Sequence, residues 1–334
     1  MFLGTWNILK IAVIGTGSAG THHLKALRSL DGVEPIAVPI RPDRLSELES
    51  AGYQTAADIH GAVDQGATAA IVATDTSRHV KDTKAALAQG LDVLVEKPMG
   101  RNIQDSLKIR DSAIKSEQRV FIACVMRFSE SLNSFRQALP RAGRLHSVRV
   151  EAKSYLPDWR PDRPYHDSYS ARADEGGALR DLIHEIDYSG WIFGWPAALQ
   201  AKLMNLGRLG IDSEEMADLN WETPDGCSLS MSLDYLSKPA RLSMTACGEA
   251  GTVEWNFIDG SVKVILADQT KEQLHSAQTI AGMFSDQARA FIDALQGEPD
   301  PRLATCDDGI KAMTICDAAR QSSVSRKEEA LVYP

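Results

Sequence analysis

Short, unbroken apolar runs alternate with amphipathic stretches through the first 125 residues. Residues 10–15 (KIAVIG), 33–39, 68–74, 91–96 and 119–125 read as strands buried on both faces. Helical patterns fill the intervals at 21–30, 41–50, 79–89 and 103–116. Pro42 suits the first turn of the second helix, and Gly90 closes the third. Repeated strand–helix units on this spacing predict an α/β fold with a doubly wound parallel sheet. Its ligand crevice is expected at the carboxyl ends of the strands.

The pattern changes after residue 128. Segments 147–155, 217–225, 228–236, 240–248, 251–257 and 262–268 alternate apolar and polar residues, as strands with one solvated face do. They predict an open, mostly antiparallel sheet. Helices at about 285–295 and 307–322 close the chain, separated by the turn sequence GEPDPRL. We therefore expect two domains, 1–125 and an α+β domain over 126–334, with the C-terminal helices packing back on the first domain. A length of 334 residues agrees with that number.

Composition narrows the class. Hydrophobic residues make up 43% and charged residues 24%, ordinary for a globular protein, and the net charge of −9 speaks against a nucleic-acid surface. No apolar run approaches the roughly 20 residues that span a bilayer, so no membrane partner is expected. The opening MFLGTWNILK lacks a basic n-region, which argues against a signal peptide. Cys124, Cys227, Cys247, Cys306 and Cys316 are scattered without CxxC spacing. They read as reduced thiols of a cytoplasmic protein, and no metal site is expected.

The first chemistry follows the first strand. Gly15-Thr16-Gly17-Ser18-Ala19-Gly20 is a GxGxxG turn opening a helix. Its glycines permit a tight turn, backbone approach to a pyrophosphate and close helix–strand packing, and the helix N-terminus offers N–H groups to the phosphates. A site preferring NAD usually ends its second strand on an acid, but here Val38-Pro39-Ile40-Arg41-Pro42 has none. Arg41 and Arg44 are placed to receive a 2′-phosphate, or else they solvate a helix start, with Asp43 as a first-turn carboxylate. The cofactor is thus NADP or NAD, with NADP favoured. Thr74 and Asp75 end the third strand, either beside a cofactor ribose or as ordinary loop residues. His79 falls in the first turn of the next helix, where no catalytic role is expected. Glu96 and Lys97 end the fourth strand facing the expected cofactor. Glu96 is placed to fix the Lys97 ammonium or to meet the nicotinamide ribose, and Pro98 holds the bend.

The second cluster is GGALRDLIHEID, residues 176–187. On one helix Asp181, His184 and Asp187 would share a face, since positions three apart are neighbours. Histidine is the usual proton-transfer group near neutral pH, and Asp181 would orient it. Gly176 and Gly177 are expected to bring backbone close to the ligand. The preceding segment interleaves Tyr155, Trp159, Tyr165, His166 and Tyr169 with Arg160, Arg163 and Arg172. Aromatic faces suit sugar rings and arginines suit phosphate or carboxylate, the alternative being a solvated crossover or a subunit contact.

Taken together, the glycine fingerprint, Ala73-Thr74…His79, VEKP, Met126-Arg127-Phe128, GGALRDLIHEIDY and the terminal FSDQARAFIDAL…DDGIKAM resemble the Gfo/Idh/MocA family of sugar and cyclitol oxidoreductases nearly end to end. The resemblance implies a Rossmann domain followed by a substrate-binding and oligomerisation domain, assembled as a homodimer or homotetramer. It also implies a catalytic set of Lys97, Asp181 and His184, with Asp187 and Arg127 toward the substrate. The activity implied is hydride transfer between nicotinamide and a hydroxyl or keto carbon of a sugar. Non-catalytic sensing, dismutation and redox-assisted elimination on a retained cofactor are the alternatives. Many members place the aspartate four residues before the histidine, whereas here the gap is three. Members with this spacing and a YHDSYSAR-like segment resemble enzymes of bacterial surface-sugar pathways, including those of acidic, nonulosonate-like or nucleotide-linked sugars.

Overall fold

The computed structural model describes residues 8–161 and 163–334. It divides into two compact units. One runs to Val125 and takes back Thr279–Gly309, and the other comprises Met126–Gln278 and Ile310–Pro334. Among the described residues no helix is long and apolar enough to cross a membrane.

In the first unit, β1 (Leu9–Ile14), β2 (Val33–Val38), β3 (Gln54–Thr55), β4 (Ala67–Val72), β5 (Asp92–Glu96) and β6 (Val120–Ala123) form a parallel sheet of order β3-β2-β1-β4-β5-β6. This is the doubly wound order of dinucleotide-binding folds, and it puts the switch point between β1 and β4. Ile11, Val13, Ile71, Val93 and Val95 are fully buried, which is why these strands lack polar alternation. The helices are α1 (Ser18–Arg28), α2 (Leu45–Ser50), α3 (Ile59–Asp64), α4 (His79–Leu87) and α5 (Ile103–Ser116). Instead of one helix from Pro42, a 3-10 turn over Pro42–Arg44 leads into α2. The returning segment adds the helix Ile280–Leu295, whose Phe284 stacks on His22 of α1, and a short strand, Ala304–Thr305, antiparallel to β6.

The second unit is built on a nine-stranded sheet. Its strands are β7 (Leu145–Tyr155), β8 (Ala198–Met204), β9 (Met216–Glu222), β10 (Ser228–Asp234), β11 (Leu236–Gly248), β12 (Gly251–Asn256), β13 (Ser261–Leu266) and β14 (Lys271–His275), with Glu329–Ala330 at the β8 edge. Every pairing is antiparallel except β7 with β10, where Val150 lies opposite Met231. Alternate residues of β9, β10 and β12 are buried, as their sequence pattern requires. β14 is exposed at all five positions and so carried no alternation to read. Helices α6 (Glu130–Ala138), α7 (Ala178–Asp181) and α8 (Ile183–Phe193) belong to this unit.

One expectation needs correction here. Residues 178–193 are not one helix: Leu182, at φ −93° and ψ 32°, separates α7 from α8. Asp181 ends one helix and His184 lies in the first turn of the next, so the shared-face argument does not hold for this pair. Arg127 and Asp187, expected to meet substrate, are 1% and 2% exposed and grip each other. Arg127 donates from Nε to Asp187 Oδ2 at 2.9 Å and from Nη2 to Oδ1 at 2.7 Å. The Trp191 ring lies 5.4 Å from the guanidinium carbon. Buried charge demands a partner, and these two residues supply it to one another.

That geometry sets a stability prediction. Arg127→Met or Asp187→Asn alone strands a buried charge and should cost about 3–5 kcal/mol, measured as urea denaturation of the full chain. Arg127→Met combined with Asp187→Leu should cost less than either single change. Equal or additive losses would mean that the pair is not what holds this region.

Candidate active site

β1 delivers the chain into the GxGxxG turn. Gly15 takes φ +89°, and a Cβ there would lie 2.6 Å from the Ala73 carbonyl oxygen and 2.8 Å from Thr74 Cγ2. A Cβ on Gly20 would come within 1.9 Å of the Gly15 carbonyl oxygen. Both glycines are therefore fixed by packing. Gly17 differs: its Cβ would meet nothing within 4 Å, so the turn is open on that side. Gly17 also starts α1, with no side-chain cap and no acidic residue in the first turn. The N–H groups of Ser18, Ala19 and Gly20 at that helix end suit an anion. The Thr74 hydroxyl, at the end of β4, is buried without a hydrogen-bond partner. An open glycine turn, an uncapped helix start and an orphaned hydroxyl on the same strand ends fit a dinucleotide.

At the ribose end, Pro39 and Ile40 follow β2, and Ile40 is exposed where an acid would otherwise reach a ribose. Arg44 reaches back to the fingerprint, donating from Nη2 to the Thr16 carbonyl at 3.3 Å while Nη1 lies 3.1 Å from Glu47 Oε2. Arg41 is exposed just before the turn. Asp75 is exposed as well, ahead of the 3-10 turn Thr76–Arg78.

β5 ends on Glu96, which is buried. Its Oε1 lies 2.8 Å from His23 Nε2, and its Oε2 accepts the Lys97 backbone N–H at 3.1 Å. A carboxylate only accepts, so His23 Nε2 is the donor in this contact, while His23 Nδ1 is buried without a partner. Burial alone would raise the Glu96 carboxyl. The His23 hydrogen bond and the nearby charges of His23, Lys97 and His79 outweigh it and hold the group below its usual range. Glu96 therefore fixes the Lys97 backbone, a role that sequence reading divided between the ammonium and a ribose. Lys97 is half-buried and precedes Pro98 through a cis peptide bond. Sequence reading missed His23, although its spacing three residues after Gly20 was available as a signal.

In the second unit, Asp181 is 3% exposed and accepts a 2.6 Å hydrogen bond from the Tyr235 hydroxyl to Oδ2. Burial, followed by the Asp181 charge, pushes the Tyr235 phenol well above its usual pKa, so it stays a donor. Trp159 packs edge-on against Tyr235 at 5.3 Å. Nothing in the sequence marked Tyr235, a lone tyrosine between two strands. His184 is half-buried. Gly176 and Gly177 approach protein rather than open space. A Cβ on Gly176 would lie 2.3 Å from the Tyr169 carbonyl oxygen, and one on Gly177 2.1 Å from Glu214 Oε1.

The segment between β7 and α7 winds through 3-10 turns at Leu156–Asp158, Tyr165–Asp167 and Tyr169–Ala171. Several of its expected substrate groups have protein partners. Trp159 Nε1 donates to Ser154 Oγ at 2.9 Å, Tyr165 donates to the Leu209 carbonyl at 3.1 Å, and Arg172 pairs with Glu175 at 2.9 Å. The Lys238 ammonium sits 3.9 Å from the Tyr155 ring centroid. Tyr169 is half-buried, and Arg160 and Arg163 are exposed. Trp159, Arg160, Arg163 and Tyr165 line one small indentation. Among the described residues no group of three or more His, Cys, Asp or Glu is placed to hold a metal ion.

Comparison with known proteins agrees with this architecture. Residues 9–124 match the model of the oxidoreductase family with an NAD-binding Rossmann fold, and residues 140–254 match the GFO/IDH/MocA C-terminal domain. The chain is 28% identical over 328 residues to the rhizopine catabolism protein MocA of Rhizobium meliloti, covering 93% of this chain and 94% of that protein. It is 27% identical over 192 residues to the myo-inositol 2-dehydrogenase of Thermotoga maritima, 56% of this chain and 55% of that one. Levoglucosan dehydrogenase in complex with NADH superposes with a TM-score of 0.87 at 17% identity, covering 98% of this chain and 100% of the other. The WlbA dehydrogenase of Bordetella pertussis, in complex with NADH and UDP-GlcNAcA, gives 0.82 at 20% identity, covering 98% of each. The chain belongs to the Gfo/Idh/MocA family of oxidoreductases, with an NAD-binding Rossmann fold in its N-terminal part.

Proposed function

We propose that this enzyme moves a hydride between a nicotinamide cofactor and a hydroxyl or keto carbon of a sugar, and that the sugar is acidic or nucleotide-linked. The observation that carries the reading is the open, uncapped Gly17 turn on the same sheet edge as Lys97, with β4 and β5 contributing the neighbouring strand ends. Relatives named for rhizopine and myo-inositol support the polyol or sugar class. The exposed guanidinium groups of Arg160 and Arg163, beside the partly exposed Trp159, support an anionic sugar.

When bound, the nicotinamide supplies or accepts the hydride. Lys97 hydrogen-bonds the reacting oxygen and stabilises its developing negative charge, and such electrostatic stabilisation dominates the rate enhancement of many enzymes. His184 takes the hydroxyl proton in oxidation and returns it in reduction. Asp181, held by Tyr235, orients His184. Ser18, Ala19 and Gly20 would hold the pyrophosphate, Thr74 a ribose, and Arg44 with Arg41 a 2′-phosphate. Arg127 and Asp187 are left out of the substrate set because their charges are spent on each other. The five cysteines are scattered without CxxC spacing, and we place the protein in the cytoplasm on that pattern.

Absorbance at 340 nm, followed with NADPH or NADH against keto and hydroxy sugars, free and nucleotide-linked, tests the reaction. In that assay Lys97→Met should lower kcat by about 10²–10³-fold with little change in cofactor Kd. Undiminished turnover would remove Lys97 from the mechanism. A flat trace for every sugar, despite cofactor binding, would favour a sensor or a retained-cofactor enzyme.

Cofactor choice is tested separately. We expect a higher kcat/KM with NADPH than with NADH, and Arg44→Ala should narrow the ratio by about 10-fold, the value of one charge-assisted contact. A preference for NADH that survives Arg44→Ala would exclude a bound 2′-phosphate.

A further inference from the structure

His79 opens α4 and is 1% exposed. A histidine in a first helical turn has no obligatory partner, yet both of its ring nitrogens are engaged. Nδ1 lies 2.9 Å from the carbonyl oxygen of Pro98, the residue after Lys97. Nε2 lies 3.0 Å from the carbonyl oxygen of Thr74, just past the end of β4. Both partners are pure acceptors, so neither contact caps the helix. The ring instead ties the turn after β5 to the strand end beside it. That strand end also packs on the glycine fingerprint, since the Ala73 carbonyl and Thr74 Cγ2 occupy the space that a Cβ on Gly15 would need. Lys97 is thus anchored on both sides. Glu96 Oε2 holds its own N–H, and His79 holds the carbonyl that follows.

Burial lowers the basicity of His79, while the Thr74 and Pro98 carbonyls and the negative charges of Glu96 and Asp82 raise it, with burial prevailing. A neutral ring donates to one carbonyl at a time. Two full hydrogen bonds need the doubly protonated ring, or a side chain with two N–H groups.

We propose that His79 is a positioning residue for Lys97: its imidazole clamps the Lys97–Pro98 turn to the end of β4 and so sets where the Lys97 ammonium is presented. The consequence for catalysis rests on the proposed function, in which Lys97 stabilises the reacting oxygen. The clamp itself is tested without that role.

The test uses the full-length protein with His79→Phe, which keeps a ring and removes both ring nitrogens, and His79→Gln, whose amide carries two N–H groups. Three quantities are measured: kcat and KM, cofactor Kd by fluorescence, and the rate at which acetic anhydride labels Lys97 relative to other lysines, by peptide mass spectrometry. His79→Phe should lower kcat by about 10–100-fold, the effect of misplacing a catalytic group by roughly 1 Å. Cofactor Kd should stay within about two-fold, because no phosphate contact is lost. Labelling of Lys97 alone should change, and His79→Gln should recover part of both effects. If the phenylalanine ring disrupts folding, His79→Leu carries the same expectation in a smaller volume. Unchanged labelling of Lys97 in a folded His79→Phe or His79→Leu variant overturns the proposal, as does a change shared by all lysines. If Lys97→Met turns over normally, the catalytic reading of Lys97 fails. A labelling change confined to Lys97 would then still uphold the clamp.

Discussion

A carboxylate buried at the end of a strand has to be paired, and most of the first unit's chemistry depends on how Glu96 meets that demand. One oxygen takes the His23 Nε2–H and the other the N–H of Lys97. His23 lies on the helix that begins at the glycine fingerprint. A single side chain therefore connects the helix whose start suits a pyrophosphate with the backbone of the residue proposed to polarise the substrate. Removing the Glu96 carboxylate would release the Lys97 amide and leave the His23 N–H without its acceptor. Desolvation makes the pair stiff as well as obligatory, since unmade buried hydrogen bonds cost about 1–3 kcal/mol each.

The first unit was legible because its constraints are local and repeat along the chain. β1, β4 and β5 are buried on both faces, so their sequences are unbroken apolar runs, and the glycines at 15 and 20 are fixed by contacts that no side chain fits. The second unit's alternation showed which segments are strands but not how they pair, and the parallel β7–β10 contact left no mark in either sequence. The helix break at Leu182 was hidden by a pattern that looks continuous from Ala178 to Phe193. Residues three apart were read as neighbours, and an irregular ψ of 32° at one residue set that inference aside. Arg127, His79 and Tyr235 depend on contacts across 60, 19 and 54 positions, which no local pattern encodes.

The same distinction explains why the fold is shared so much more widely than the sequence. Identity to levoglucosan dehydrogenase is 17%, yet the TM-score is 0.87. A parallel sheet tolerates exchange among apolar residues of similar volume, whereas its turn glycines cannot change without backbone collision. Substrate-facing groups are under neither constraint. The segment between β7 and α7 is held by side-chain hydrogen bonds such as Trp159 to Ser154 and Tyr165 to Leu209, each with a net contribution of about 1 kcal/mol. Such a segment can be rebuilt at little cost to the core.

Two buried aspartates of the second unit are held by partners of different kinds. Asp187 faces a guanidinium in bidentate contact, so its charge is cancelled where it stands. A neighbouring imidazole would gain little from it. Asp181 receives its 2.6 Å hydrogen bond from a phenol. Burial and the Asp181 charge keep that phenol protonated, so Tyr235 orients the carboxylate and contributes no compensating charge. The break at Leu182 takes Asp181 and His184 out of a single helix, so helical spacing does not set how these two residues face one another.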